Sequence, residues 1–479
     1  MKKIMTPVAL AMVLTGCMSL APKYERPAAP VAAGFPVPPT PDGAAPVSAA
    51  TTEAASSIAW QRFFADPRLQ QLIALALENN RDLRVAILNI EQARASYRIQ
   101  RADLLPTIGV GATGQVQPGP DAYQGGIQLS SFELDFFGRV RSLSNAALAQ
   151  FLATEEARKT TQISLISQVA STYLAYQADE ELLALTRQTL KTREDSQRLT
   201  QLKYDNGIVS KLDLNQSLSL VETARVVLAQ QLRQRAQDAN LLTLLVGGPI
   251  PDSLPGGVAL ADTNLAELPP GLPSDLLAVR PDIRSAEQQL VATNANIGAA
   301  RANFFPNISL TSTAGSASNE LNGLFKGGSF GFTFAPQIFL PIFDYGRNKA
   351  NLESTVAGRD IAVARYEQSI QTAFREVADA LAGQSTYTEQ LRAQRAVAAS
   401  ETDRFNLSDL RYRSGAASYL DLLDAQRSLF EAQRSSVEAN LLRLQNQVTL
   451  YRVLGGGWTT PATATTAANA ATTTNPSRQ

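Results

Sequence analysis

The chain contains no histidine and a single cysteine in 479 residues. These two absences remove the Ser-His-Asp triad, the HExxH zinc helix, zinc ribbons and any intrachain disulfide framework. An enzyme would have to work through carboxylates alone, and no segment gathers them as a catalytic cleft requires, so none is expected. Neither sign of charge prevails, because lysine plus arginine and aspartate plus glutamate each number 43. No overall field therefore attracts nucleic acid. A phosphate-cradling loop is also missing: the Gly/Pro-rich stretch GGPIPDSLPGG holds no lysine and opens no helix. Beyond the N-terminus there is no run of about 18 apolar residues, so no helix is expected to span a bilayer. Any membrane crossing would have to be made of strands.

What is present begins at the N-terminus. Residues 1–16 read as a signal peptide, with Lys2 and Lys3 ahead of a short apolar core from Val8 to Leu14. Leu14-Thr15-Gly16-Cys17 resembles a bacterial lipobox. That resemblance implies a covalent lipid on Cys17, with no other cofactor expected. By the same resemblance, Met18 in place of an aspartate after the cysteine implies sorting to the outer membrane. Lipid chains tether a protein to outer-membrane lipid but form no pore. Residues 17–57 are expected to form a strap, whose part 27–57, rich in Pro, Ala, Ser and Thr, suits an extended chain.

The rest is a two-fold internal repeat: 58–248 and 274–456, separated by a Pro/Gly-rich linker at 249–273. At an offset of 200, Leu77, Asp82, Arg84 and Pro106 meet Leu277, Asp282, Arg284 and Pro306. Further on the offset is 208: Gly138-Arg139 meets Gly346-Arg347, and Tyr204, Gly207, Ser210 and Asp213 meet Tyr412, Gly415, Ser418 and Asp421. Each half reads helix, two strands, long helix, turn, long helix. The strands are expected at about 107–118, 124–135, 307–318 and 328–340, where apolar and small residues alternate, as in Phe330, Phe332 and Phe334 between Gly331, Thr333 and Ala335. Strands of about ten residues suit a tilted crossing of a bilayer. The long segments, about 138–246 and 345–454, are expected to form helical hairpins with coiled-coil packing. Leu423, Phe430, Val437, Leu444 and Tyr451 recur every seven residues. Such helices imply an elongated molecule. The Thr/Ala-rich residues 457–479 read as a disordered tail.

Four strands leave two edges, for which lipid offers no hydrogen-bonding partner. A cyclic assembly is the natural way to close them: a dimer would give eight strands and a trimer twelve, and only the larger barrel leaves an aqueous lumen.

Several stretches together resemble the TolC/OprM-type outer-membrane factors of Gram-negative efflux and secretion systems. They are Ala21-Pro22-Lys23-Tyr24-Glu25-Arg26-Pro27, Leu272-Pro273-Ser274-Asp275-Leu276-Leu277 with Arg280-Pro281-Asp282-Ile283-Arg284, Arg301-Ala302-Asn303-Phe304-Phe305-Pro306, and Tyr419 through Arg427 (YLDLLDAQR). The resemblance implies an α+β membrane protein. It would be a homotrimer whose 12-stranded outer-membrane β-barrel continues into a 12-helix periplasmic α-barrel, with an equatorial domain at the terminal and linker segments. It implies a lipid-anchored outer-membrane channel with a large periplasmic portion. The partners would be a periplasmic adaptor (membrane fusion protein) and an inner-membrane RND-type pump. Drugs and small molecules would pass through passively as part of multidrug efflux. Two other functions fit parts of the pattern: the channel of a type I protein secretion system, and a non-conducting trimeric structural lipoprotein.

The two hairpin turns carry the candidate site. Gly207 and Gly415 supply a left-handed residue that ends a helix. Ser210 and Ser418 each precede an acid by three residues, Asp213 and Asp421, which is the pattern of an N-cap with its reciprocal N3 acid. Asp424 lies past any cap, and Arg427 follows at i+3, so the two could form a surface ion pair. Alternatively, copies of Asp424 around an axis would make an acidic ring that filters ions. The resemblance implies the second: Asp421 and Asp424 match acids that constrict a periplasmic gate, Arg427 matches a position in the same region, and Asp213 and Tyr412 match residues that tie the tip helices shut. The first half has Gln216 where Asp424 would fall, so one such ring is expected. The tips Gly207-Ile208-Val209-Ser210 and Gly415-Ala416-Ala417-Ser418 resemble adaptor-docking surfaces.

Overall fold

The structure is a computed structural model that describes residues 19–36, 55–116, 118–266, 268 and 273–458. Cys17, the signal segment 1–16, residues 37–54 of the strap, part of the linker and residues 459–479 lie outside the described residues.

The chain clusters into two compact units. One holds the N-terminal segment up to Pro30 with Ala86–Arg158 and Asp282–Ile370, and the other holds residues 31–85, 159–281 and 371 onward. In chain order the helices are α1 (Trp60–Phe63), α2 (Pro67–Asn79), α3 (Arg81–Ala102), α4 (Arg139–Asp205), α5 (Lys211–Val246), α6 (Pro273–Val279), α7 (Pro281–Ala302), α8 (Arg347–Arg413) and α9 (Tyr419–Val453). The strands are β1 (Ile108–Gln115), β2 (Ala122–Glu133), β3 (Asn307–Ser318) and β4 (Phe330–Phe339). Helices α4 and α8 each run 67 residues, about 100 Å of rod at about 1.5 Å per residue. None of the helices is apolar enough to cross a membrane among the described residues.

The sheet belongs to the first unit. Its order is β1-β2-β3-β4, with every neighbour antiparallel. Its register sorts the side chains by chemistry. Leu129 opposes Ile108 and Ile127 opposes Val110; across the next pair Ile127 opposes Ala314; beyond that Ile308 opposes Ile338, Leu310 opposes Pro336 and Ala314 opposes Phe332. Because side chains alternate along a strand, these residues share one face. The other face carries Gly109, Gly111 and Thr113, then Gln124, Gly126 and Gln128, Ser309, Thr311 and Thr313, and Thr333, Ala335 and Gln337. The apolar face is open in the single chain, with Val110 88% and Phe332 79% exposed.

A β-bulge keeps that sorting intact. The register shifts between Leu129 and Phe132, so Ser130 and Ser131 together oppose Thr311. Ser131 takes a positive φ of 44°. Without the extra residue, strict alternation would put Glu133 on the apolar face. With it, Phe132 opposes Leu310 there, and Glu133 opposes Ser309 on the polar face. Glu133 accepts from Arg139 Nε at 2.8 Å.

The strap also docks on the first unit. Arg26 grips Glu287 of α7 with two hydrogen bonds of 2.7 and 2.9 Å, and Tyr24 donates to the same carboxylate at 3.0 Å. Burial first, and then Glu287, raise the Tyr24 pKa well above its usual value. Farther along α7, Asn294 donates to the Pro22 carbonyl at 2.8 Å. At Gly298 a Cβ would sit 2.8 Å from the Ala21 amide nitrogen, so only glycine leaves room for the strap. Small residues likewise let helices approach: Ala146 and Ala149 of α4 pack with Ala292 and Ala295 of α7.

In the second unit, α2 begins with Asp66 accepting from the amides of Arg68 and Leu69 and with Pro67 at its first position. It buries Leu69, Leu72, Ile73 and Ala76, which fall on one helical face. Asp66 is itself buried and also receives the Tyr173 hydroxyl at 2.9 Å and the Val258 amide at 3.1 Å, fastening the linker to α4. Phe63 stacks on Tyr451 of α9, their ring centroids 4.1 Å apart.

Candidate functional site

The tips of both hairpins lie in the second unit. At each, the first helix ends in a Schellman turn. Ile208 N–H reaches the Lys203 carbonyl at 2.8 Å and Gly207 N–H the Tyr204 carbonyl at 2.9 Å, while Ala416 and Gly415 repeat this with Arg411 and Tyr412. Gly207 and Gly415 have φ of 69° and 77°, the left-handed conformation that penalises a side chain. The second helix then opens with a full capping box. The Asp213 amide donates to Ser210 Oγ at 3.2 Å, and the Ser210 amide donates to Asp213 Oδ2 at 3.1 Å. Ser418 and Asp421 do the same at 3.3 and 3.2 Å. Asp213 and Asp421 thus have a complete local account as caps.

Asp424 does not. Among the described residues its ion pair is with Arg404 of α8, across the hairpin, rather than with Arg427 one turn ahead. Arg404 also reaches Glu401 at 3.1 Å and the Ser428 hydroxyl at 3.3 Å. Both members of the pair are substantially exposed, with side-chain exposures of 43% and 62%. An exposed pair adds little to stability, on the order of 0–1 kcal/mol. Arg427 is exposed.

Tyr412 is half-buried at the junction of the two hairpins. Lys203 of α4 donates to its hydroxyl at 3.1 Å. Its ring lies 5.4 Å from that of Tyr419, centroid to centroid. Beneath it Leu220, Tyr419, Leu422 and Leu423 form a buried cluster that joins α5 to α9. Asp213 makes its hydrogen bonds to Ser210, so the structure does not bring it to Tyr412 through any of them. The remaining tip residues, Ile208, Val209, Ala416 and Ala417, sit in the turns; Ile208 is 70% exposed.

Sequence reasoning missed Arg404 and Lys203. For Arg404 a signal was available in the repeat. At the 208-residue offset Arg404 falls on Ser196 just as Asp424 falls on Gln216, so the first half lacks both members of the pair. For Lys203 no comparable signal exists, since its counterpart is Arg411, another cation. Among the described residues there is no group of carboxylates, cysteines and histidines that could hold a metal ion.

Among the described residues, a four-stranded sheet apolar on one face is joined to long helical hairpins with capped tips, a largely helical protein with one small antiparallel sheet. The chain belongs to the outer membrane efflux protein family, which it matches over residues 72–248 and 272–456. This is a family of efflux channels and not of enzymes. The toluene efflux pump outer membrane protein TtgC and the antibiotic efflux pump outer membrane protein ArpC, both of Pseudomonas putida, are each 48% identical over 469 residues, covering 95% of this chain and 96% of their own length. The open-state crystal structure of the MtrE outer membrane channel of Neisseria gonorrhoeae is similar, with a TM-score of 0.85 and 38% identity over 92% of this chain and 99% of that one. The protein is an outer-membrane component of an efflux pump.

Proposed function

We propose that three copies of the chain close their sheets edge to edge into one outer-membrane barrel, through which hydrophobic drugs and solvents leave the cell. The observation that carries this reading is the sheet itself: one apolar face, one face of Gly, Ser, Thr and Gln, and two strands, β1 and β4, that each have a single neighbour among the described residues. Unpaired edges are untenable in lipid, so closure by other copies is required. Two copies would give about eight strands and an interior filled by side chains, whereas three give about twelve and a lumen lined by the polar face. The hairpins of three copies would supply a helical tunnel on the periplasmic side. The relatives' names, which speak of toluene and of antibiotics, support small hydrophobic cargo. A lipid on Cys17 would anchor the strap at the membrane. An inner-membrane pump and a periplasmic adaptor meeting the glycine tips would provide the energy and the seal.

The periplasmic entrance closes where Asp424 and Arg404 pair. Three Asp424 carboxylates, each tied to an exposed Arg404, form an acidic constriction that also latches α8 to α9. The test is single-channel conductance of the purified protein in planar bilayers. Asp424→Asn removes both the latch and the ring, so conductance should rise and cation preference fall. Arg404→Gln frees the carboxylates and should raise conductance while cation preference increases. Unchanged conductance and selectivity in both variants would remove the pair from the constriction.

A further inference from the structure

Along β3 the positions on the apolar face begin with Ile308 and Leu310 and continue as Ser312, Ala314, Ser316 and Ser318. The far half of this strand thus places hydroxyls where the rest of that face carries hydrocarbon. Helices α3, α4, α7 and α8 all join the sheet at its other end, so Ser316 and Ser318 lie toward the hairpin turns. The two hairpins differ there. Residues 116–121 join β1 to β2, whereas the longer connection 319–329 joins β3 to β4 and holds a 3₁₀ turn, Leu321–Phe325.

The turn lies on the side of those hydroxyls. Ser318 Oγ accepts from the Glu320 amide at 3.1 Å, and a Cβ on Gly323 would run into it, so only glycine lets the turn rest there. The Ser316 and Ser329 hydroxyls are hydrogen-bonded at 2.9 Å. Ser329 Oγ also lies 2.8 Å from the Lys326 carbonyl and 3.1 Å from that of Leu324. Hydroxyls partnered in this way cost far less in an apolar medium than free ones. The turn packs on β3 and β2, the two inner strands. Its Leu321 and Phe325 are 63% and 92% exposed, and Phe330, opposite Ser316 on the same face, is 75% exposed.

We propose that this turn is a lipid-contacting patch on the outside of the barrel, which caps the serine hydroxyls of β3 and puts Leu321 and Phe325 among the acyl chains of the outer leaflet. The inference rests on the reading of the sheet as part of a barrel whose polar face is inward. The 12 residues of β3, tilted as barrel strands are, climb about 30 Å against an apolar band of about 25 Å. The turn therefore falls at the outer rim of the hydrocarbon. Glu320 and Lys326, exposed at either end of the turn and 3.9 Å apart, reach the headgroup level. A neighbouring copy would join at β1 or β4 and not over the inner strands, which leaves lipid as the occupant.

Nitroxide labels on Leu321→Cys and Phe325→Cys test it in the full chain, assembled in phosphatidylethanolamine–phosphatidylglycerol vesicles. Power saturation compares collision with oxygen, which concentrates in hydrocarbon, against collision with a water-soluble nickel chelate. Wild type treated in the same way reads any label on Cys17. Phe332→Cys and Thr333→Cys, on the two faces of β4, are the references. Both turn labels should collide several-fold more with oxygen than with nickel, as at Phe332, while Thr333 shows the reverse. A nickel preference at either turn position, with Phe332 still favouring oxygen, puts the turn in water or over the lumen and overturns the proposal alone. Turn labels shielded from both reagents are covered by protein and overturn it too. A nickel preference at Phe332 itself overturns the reading of the sheet's faces, and the proposal with it.

Discussion

Asp179 offers the sharpest test of the helical packing. It lies on α4, is only 8% exposed, and its Oδ2 meets no donor. Burial pushes its carboxyl from 3.8 up to about 7, with Asp238 of α5 and then the charge of Glu180 adding to the rise and Arg235 opposing it. Because the folded value is raised, the group's contribution is fully present below about pH 4 and is lost as pH climbs through 7. A rise from 3.8 to about 7 corresponds to about 4 kcal/mol once the group is forced to ionise, and local water entry reduces this to at least ~1 kcal/mol. Asp179→Asn keeps the neutral shape and removes that loss. The variant should match the wild type at pH 4, gain steadily from pH 4 to 7, and stay ahead by ~1–4 kcal/mol above it. Amide hydrogen exchange along α4 and α5, measured from pH 4 to 9 and corrected for intrinsic rates, reads this locally as roughly 5- to 1000-fold greater protection at the alkaline end. Equal pH dependence in the two proteins would refute the buried, proton-holding carboxyl.

The two faces of the sheet give a second prediction. Phe332→Lys should cost about 2–4 kcal/mol and abolish assembly into outer membranes, whereas Thr333→Lys, on the opposite face, should assemble and change ion selectivity; heat-resistant oligomer on gels and bilayer conductance report the two outcomes. At the tips, Gly415→Val places a β-branched residue at a φ of 77° and should destabilise the turn by about 1–2 kcal/mol. Gly358, within α8 with no heavy atom within 4 Å of an added Cβ, should accept alanine with a gain of about 0.5–1 kcal/mol. Both glycine substitutions are checked by thermal unfolding followed by circular dichroism.

Much of the fold was legible because it is written in short-range chemistry. Proline at 106 and 306 stops helices, Gly207 and Gly415 turn them, and Ser210 and Ser418 restart them with an acid three residues on. The alternation of Phe330, Phe332 and Phe334 with small residues marked β4 as two-faced, and the register shows which residues share each face. The candidate site was only half legible. The caps could be read from spacing alone, but for Asp424 spacing offered only Arg427, at i+3, as a local partner beside the alternative of an acidic ring, and the ion pair is with Arg404 on another helix.

The division has a physical cause. Caps, turns and periodicity depend on residues within about four positions of one another, so a sequence states them outright. The repeat extends this, since one hairpin's local pattern predicts the other's. Which side chains meet across elements depends instead on helix rotation and strand register, which the whole packing sets. The bulge at Ser130 and Ser131 that moves Glu133 off the apolar face and the Asp424–Arg404 pair are both of this second kind. The sequence by itself determined the strands, the hairpins and their capped tips; only the tertiary structure decided which charges face each other.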